Sequence, residues 1–482
     1  MELDYKKLQF MSGLEIHQQL EGGGKKLFCN CRSILRSDEP DYEIKRKLHV
    51  VAGESGEVDV AVSHEAKEGR TFVYRGNYDT SCLVELDEEP PREINKSALK
   101  TAVQIALLMN MEIVPLSQIM RKTVVDGSNT SGFQRTVLIA RDGYIETSKG
   151  RVTIQWLYLE EDAARIVLRE EGKTVYNLDR LGIPLVEVVT APEIKDANHA
   201  KEVALKLGEI LRSCDVRRGI GTIRQDVNIS IRGENRVEIK GMQDMDVFVD
   251  AIEKEVLRQK ELSDSGTPVG MEVRNVLKDA SSKFMRPLPG SARMYPETDL
   301  PLLKISRGFI NKAKRDLPKL ISEIKGDLKK EGLSEEMINL LLKQNKLKEF
   351  KELKSIYDNP QIIAKILLIY PSQISSNLKK SVEDVENVVL NFYGDILRML
   401  KKGKIKDFEV KDILSSLVLG KSLKESVSND KKSLAEIEEW VMKTVKSKPG
   451  LNPNAYMGLV MNEFKGQVSG KEAMDIIRKF IK

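Results

Sequence analysis

Apolar and polar residues alternate through GLEIHQQL, residues 13–20. Leu14, Ile16, Gln18 and Leu20 fall on one side of an extended chain, and Glu15, His17 and Gln19 on the other. The pattern predicts a short strand with one polar face. The same period of two runs through TIRQDVNISIRGENRVEIKG (222–241). There Ile223, Val227, Ile229 and Ile231 alternate with Arg224, Asp226, Asn228, Ser230 and Arg232, and after a Gly-Glu-Asn turn at 233–235, Val237 and Ile239 alternate with Glu238 and Lys240. This predicts a β-hairpin whose polar face is either the floor of a cleft or the wet side of an antiparallel sheet. GIPLVEVVTAPE (182–193) differs: it is apolar from Ile183 to Val189 except at Glu187, as in a strand buried on both faces. TIQWLYLEEDAAR (153–165) reads as a strand ending in three acids, Glu160, Glu161 and Asp162.

A 3.6-residue period takes over at 95–109 and 196–214, which predict helices. In the second, Ala200, Val203, Ala204, Leu207, Ile210, Leu211 and Cys214 form one stripe. That places Cys214 in a core and leaves His199, in the first turn and off the stripe, at the surface. From about residue 305 the strand signal stops and helical patterns fill the chain, INLLLKQNKLKEFKELKSIY (338–357) among them. Ser433 with Glu436, and Ser469 with Glu472, fit capping boxes ahead of helices. The polar stretch at 403–411 separates two helical groups. The expected fold class is α+β, with an α+β body over 1–303, a helical domain over 304–405 and a helical tail over 406–482.

Composition narrows the functional classes. The chain has 482 residues, 41% hydrophobic and 31% charged, which is ordinary for a globular protein of several domains. No apolar run approaches the roughly 18 residues of a membrane helix, and MELDYKKLQF lacks the apolar centre of a signal peptide. A cytoplasmic protein is expected. Charge is uneven: residues 301–482 carry 35 Lys+Arg and 24 Asp+Glu, whereas the first 300 carry 43 and 49, giving +11 and −6. A basic back half suits a polyanionic partner, although solvated lysine-rich helices would give the same count. Of four cysteines, Cys29 and Cys31 form a C-x-C pair while Cys82 and Cys214 are scattered, which favours free thiols.

The familiar nucleotide motifs fail. DGSNTSGFQRT (126–136) has glycines at P-loop spacing but Phe133 and Gln134 where Lys and Ser/Thr are needed. GGGKK (22–26) fits a hairpin tip, and GIGTIR (219–224) lacks a third glycine. Three stretches carry better chemistry. Glu187 inside an apolar run needs a cation, either a metal or an arginine such as Arg180. The acids 160–162 either bind a hard cation or cap the next helix. The hairpin 222–241 offers Arg and Lys. With His17, these groups suit metal-assisted phosphoryl transfer, in which Mg²⁺ bridges carboxylates and phosphate oxygens and cationic side chains stabilise the moving phosphoryl group.

At these same residues the chain resembles a known family. GLEIHQQL with KLFCNC (26–31), LEEDAAR, GIPLVEV and VEIKG are similar to the B/E family of tRNA-dependent amidotransferase subunits. CLVELDEEPP (82–91), VVDGSNTSGFQRT (124–136), RLGIPLVEV, GTIRQDVNISI and MRPLPGSARMYPETDLP (285–301) look like its archaeal members, the E subunits of glutamyl-tRNA(Gln) amidotransferase. The similarity runs from about residue 8 to the C-terminus. It implies a catalytic body of the glutamine-synthetase and guanidino-kinase type, followed by all-helical C-terminal domains, the last a tRNA-docking tail. The implied reaction phosphorylates Glu on Glu-tRNA(Gln) with ATP and Mg²⁺. Ammonia then displaces phosphate, supplied through a tunnel by an asparaginase-like D subunit. By motif, His17, Glu161 and Glu187 match the metal-binding and catalytic positions, with Glu160 as the alternative to Glu161. Arg121, Lys122 and Arg224 match less firmly as phosphate contacts.

Two departures qualify the resemblance. Archaeal E subunits carry an insertion similar to one in bacterial aspartyl-tRNA synthetase, between the helix near 248–262 and the MRPLP segment; here only SDSGTPVGMEVRNVLKDASSKF (263–284) spans the gap. Bacterial-type B subunits often pair the C-x-C with a later C-x-x-C to hold zinc. That second pair is absent, so no zinc is expected. The competing readings are a B-type subunit of a heterotrimeric amidotransferase and a tRNA-binding scaffold without catalysis. Whether Asp-tRNA(Asn) also serves is left open by the sequence.

Overall fold

The alternation at residues 13–20 becomes the strand Met11–Gln19, whose Leu14 and Ile16 are buried on one face. It lies near the middle of an eleven-stranded sheet. In spatial order the main path runs Ser282–Pro287, Glu272–Val276, Val237–Lys240, Ile223–Ser230, Met11–Gln19, Pro184–Thr190, Gly150–Glu161, Phe133–Thr147, Ile119–Thr123, Met294–Pro296. Neighbours pair antiparallel except Val237–Lys240 with Glu272–Val276, which are parallel. These observations come from a computed structural model that describes residues 3–47, 71–124, 126–288, 294–344, 346–427, 434–464 and 468–481. Ser433 lies outside the described residues.

Three helices cover the apolar face. Lys96–Leu108 starts at Asn95, whose side chain accepts from the Ser97 and Ala98 amides. Ala197–Ser213 starts at Asp196, which accepts from the His199 amide, and Phe248–Asp264 comes later. Satisfying first-turn amides in this way stabilises a helix by about 1 kcal/mol. Their buried stripes meet Leu14, Ile16, Leu157, Leu159, Val186, Val188, Val227 and Ile229 from the strands in one core. Each such side chain contributes roughly 1.5–3 kcal/mol. Cys214 lies in this core as expected.

His199, expected at the surface, is instead buried at 1% exposure. Its Nδ1 accepts from the Lys195 amide at 3.1 Å, so Nε2 carries the proton and donates to Thr147 Oγ1 at 2.8 Å. The end of the long hairpin Phe133–Thr147/Gly150–Glu161 covers the ring, a tertiary contact that the helix's own period does not reveal.

A smaller four-stranded sheet, Tyr42–Arg46, Thr71–Gly76, Lys173–Asn177 and Arg165–Glu170, has its own cluster built on Phe72, Tyr74, Tyr176 and Leu178. The chain between the helix Phe248–Asp264 and residue 285 is taken up by the edge strand Glu272–Val276 and a tight turn into Ser282–Pro287, where the Leu277 amide donates to Ser281 O at 2.8 Å.

The chain divides into two compact units, Met1–Leu320 and Ile321–Lys482. The second is helical. The pattern at 338–357 is two helices, Glu335–Lys343, capped by Ser334, and Leu347–Ile356. One apolar cluster gathers residues from Leu328 to Val418, and Ile405, Val410 and Ile413 are buried in it, on both sides of the 405/406 boundary drawn from sequence. A second cluster comprises Ile437, Val441, Tyr456, Val460, Phe464, Val468, Ala473, Ile476 and Ile477. The Ser469–Glu472 capping box is present: Glu472 N–H donates to Ser469 Oγ, and Ser469 N–H to the Glu472 carboxylate. The observed class is α+β, a mixed-sheet body followed by helices. Among the described residues no helix is long and apolar enough to cross a membrane.

Candidate active site

The polar face of the large sheet is assembled by cross-strand register. His17 lies opposite Glu187 on one neighbouring strand and Arg224 on the other, and Glu15 lies opposite Asp226. Glu187 in turn faces Tyr158, and Glu160 faces Thr136. Side chains two apart on a strand share a face. Glu15, His17, Glu187, Tyr158, Glu160, Arg224, Asp226 and Lys122 therefore share one surface, and it is the face opposite the helices.

His17 is the hub. Its Nε2 stands 3.7 Å from a carboxylate oxygen of each of Glu15, Glu160 and Glu187. Lys122 Nζ donates to Glu160 Oε2 and Glu187 Oε2, both at 3.0 Å. Burial pushes the His17 imidazole down to about 4, so the ring is neutral and has a lone pair to offer. Burial pushes the Glu160 carboxyl up to about 7 against the pull of Lys122, with Glu187 adding to the rise. For Glu187, burial works upward, but Lys122 and then His17 outweigh it and hold the group down at about 2. Burial, then repulsion from Glu187, also lifts Glu15. Two acids, Glu160 and Glu187, converge on Lys122, and Glu15 lies on the other side of His17.

The donor sets fit a cation. Ligand atoms of His17, Glu160 and Glu187 lie within 4.8 Å of one another, as do those of Glu15, His17 and Asp226. The ammonium already bridging Glu160 and Glu187 marks the place as one that attracts positive charge. Carboxylate oxygens suit Mg²⁺ as direct ligands, whereas a neutral imidazole suits contact through a coordinated water.

Around this hub the charges pair. Arg224 donates to Asp162 Oδ1 at 2.8 Å, and Gln19 donates to Asp162 Oδ2 at 2.6 Å. Lys240 sits 2.6 Å from Asp226 and 2.5 Å from Glu238. Arg180 turns to the carbonyls of Ala163 and Ala164, so it is Lys122 that satisfies Glu187.

Two sequence-predicted residues point elsewhere. Glu161, expected to join His17 and Glu187, is one residue out of phase. Its carboxylate accepts from the Arg135 amide at 3.1 Å and lies 3.4 Å from the Arg135 guanidinium. Glu160, the alternative, takes the place. Arg121 likewise turns away from His17 to Glu297 at 2.5 Å and Asp299 at 3.2 Å, with its guanidinium over the Phe133 ring. Glu297 is buried and holds both Arg121 and Arg135. Lys122 is at the site as a partner of carboxylates, and Arg224 is at its border. Sequence reading did not single out Glu297, and it named Asp162 only within the acidic run 160–162, without the pairing to Arg224 and Gln19 seen here. Asp162 had a signal, since it continues the acidic end of its strand. Parity also carried one: Leu157 and Leu159 are core residues, which puts Glu161 in their phase and Glu160 in that of Tyr158.

A family model described as the GatB/GatE catalytic domain matches residues 10–311, a span that contains every group named above. Along its whole length the chain is 34% identical to the E subunit of glutamyl-tRNA(Gln) amidotransferase from Methanocaldococcus jannaschii, with all of both chains covered. The chain belongs to the GatB/GatE family. Other members align comparably: the E subunit from Archaeoglobus fulgidus is 33% identical, with 100% of this chain and 99% of the relative covered. That from Sulfurisphaera tokodaii is 32% identical, with both chains fully covered. The M. jannaschii alignment spans 633 positions against 482 residues here. That difference accords with the short 263–284 connection.

Proposed function

We propose that this family member is the subunit of a glutamyl-tRNA(Gln) amidotransferase that activates and amidates Glu on tRNA(Gln). The γ-carboxylate oxygen of the esterified Glu attacks the terminal phosphorus of ATP and ADP leaves. Ammonia then attacks the acyl carbon and phosphate leaves, giving Gln-tRNA(Gln). A separate asparaginase-like protein, the D subunit, is the proposed source of ammonia. The observation that carries this reading is the convergence of His17, Glu160, Glu187 and Lys122 on one sheet face, within the span matched by the family's catalytic domain.

Mg²⁺, held by Glu160 and Glu187 with His17 beside it, would neutralise phosphate charge when bound. Lys122 fixes both carboxylates in place, and neutral His17 adds no positive charge that would compete with the ion. Arg224, its side chain 39% exposed, remains available at the border of the site to meet an incoming anion. The +11 charge of residues 301–482 favours tRNA as the polyanion that this half contacts. The full-length likeness to E subunits argues for this reading over a B-type subunit, and the paired buried carboxylates argue against a non-catalytic scaffold.

The test is analysis of the tRNA-bound amino acid after incubation of the chain with an asparaginase-like partner, Glu-tRNA(Gln), Mg²⁺, glutamine and ATP. Gln-tRNA(Gln) is expected only with ATP. Glu187→Gln should lower its formation by about 100-fold or more while tRNA binding is kept. Unchanged turnover in that variant would refute the site. Failure of the unmodified chain with both the partner and free ammonia would refute the activity.

A further inference from the structure

A loop tip, Arg218–Gly221, precedes the strand Ile223–Ser230. Among the described residues no large apolar side chain is more exposed than Ile220, whose relative exposure of 108% leaves it wholly in water. It stands between Gly219 at φ 117° and Gly221 at φ 83°, backbone conformations that let the chain turn sharply on either side of it. Beyond their chain neighbours, neither glycine has an atom within 4 Å of the position a Cβ would take, so the tip is open around Ile220.

The neck below the tip is pinned. The Arg217 amide donates to Gln19 O and the Gln19 amide to Thr222 O, both at 2.9 Å. The Gln18 side chain, buried at 2% exposure, donates to Arg217 O at 2.9 Å and to Thr222 O at 3.1 Å. Thr222 Oγ1 closes the turn onto Gly219 O at 2.8 Å. These anchors belong to the strand that carries His17, and Arg224, two residues past the neck, lies opposite His17. The surroundings are cationic: residues 212–224 contain Arg212, Arg217, Arg218 and Arg224 against one acid, Asp215. Arg217 donates to Ser33 Oγ and Arg218 to Arg212 O, both at 3.2 Å. Those acceptors are neutral, so both guanidinium charges are left to meet an anion.

We propose, resting on the function proposed above, that this tip receives the 3′-terminal nucleotide of the tRNA, with Ile220 against the face of the base and Arg217 and Arg218 on the neighbouring phosphates. The glutamyl group is esterified to the terminal ribose, so a base seated at the tip belongs beside the polar sheet face where the carboxylate reacts. An exposed apolar side chain among arginines suits a single-stranded nucleotide, whose base is apolar on its faces and whose linkages are anionic. Pinning the neck orders the tip before the partner arrives, so little ordering entropy opposes binding. A protein partner would need a broader apolar patch than one side chain.

The experiment measures binding of the full chain to two tRNA(Gln) transcripts, one complete and one lacking its single-stranded 3′ end. The complete transcript should bind the unmodified chain more tightly. Ile220→Ala should remove about 10-fold of that affinity and leave the truncated transcript unaffected. Ile220→Met should keep most of it. Arg218→Ala should weaken binding of the complete transcript and lower the slope of log affinity against log salt by about 0.7. Because Ile220 is wholly exposed, thermal unfolding should not change in either Ile220 variant, which separates a lost contact from a lost fold. Equal effects of Ile220→Ala on both transcripts, or no effect on either, would overturn the proposal and leave the amidotransferase reading standing. So would a loss of ATP affinity with tRNA affinity kept, which would give the tip to the adenine of ATP. Failure of the unmodified chain to bind either transcript would overturn both.

Discussion

The two faces of the large sheet are made from the same strands, often from consecutive residues, and are stabilised in opposite ways. Ile16, Leu159 and Val188 point into the helices and are held by loss of apolar surface. Their neighbours His17, Glu160 and Glu187 point the other way and are held by one another and by Lys122. On the first face a residue's contribution follows the apolar surface it removes from water, and swaps that conserve volume cost little. On the second it is conditional, because a buried carboxylate that loses its cation changes from a partner into a liability. A strand in this protein thus carries an apolar core and a polar, mutually paired network in alternate positions.

The comparison can be broken most severely at Lys122. Lys122→Met leaves Glu160 and Glu187 facing each other without a counter-charge and should cost about 3–5 kcal/mol in urea unfolding. Glu160→Gln in the same chain should recover part of that loss, and strict additivity of the two changes would show that the pairing is unimportant. Next in size is the contrast across one peptide bond. Ile16→Ala should cost about 2–5 kcal/mol through the cavity it leaves. His17→Ala should cost less than Ile16→Ala yet abolish most Gln-tRNA formation; equal destabilisation by the two would mean that the polar face is also structural. The finest contrast is between adjacent acids. Glu160→Gln should reduce turnover by about 100-fold, whereas Glu161→Gln, aimed at Arg135, should act on thermal stability, by roughly 1–3 kcal/mol, more than on turnover. A reversed pattern would restore the assignment first read from sequence.

Much of the sheet was legible because strand parity is local. The polar phase of Glu15, His17 and Gln19, the hairpin at 222–241 and the buried setting of Glu187 follow from period two alone. The helices at 95–109 and 196–214 follow from period 3.6. What escaped was non-local. His199 is buried by a hairpin end some fifty residues earlier in the chain. Cys82 and Glu85 meet Cys29 and Cys31 only through the pairing of Thr71–Gly76 with its neighbours. The exchange of Glu160 for Glu161 has another cause. Both are charged, so neither announces its face by itself, and the phase shows only in the parity with Leu157 and Leu159, which places Glu161 in the core residues' phase and Glu160 in that of Tyr158. The break in 338–357 escaped because Gln344 and Lys346 are compatible with a helix, and only the caps show where one helix ends and the next begins.

The turn between Glu272–Val276 and Ser282–Pro287 has a consequence for how such chains change over time. It lies in the outermost hairpin at one end of the sheet, and its two arms emerge side by side, clasped by the Leu277–Ser281 bond. A chain segment opened at such a point pays little for added length, since closure entropy grows only with the logarithm of the loop. The hairpin therefore works as a socket. A folded module with neighbouring termini could be spliced in or removed there without altering the register that aligns His17 with Glu187. A module added or lost there would leave the polar face of the sheet with its geometry unchanged.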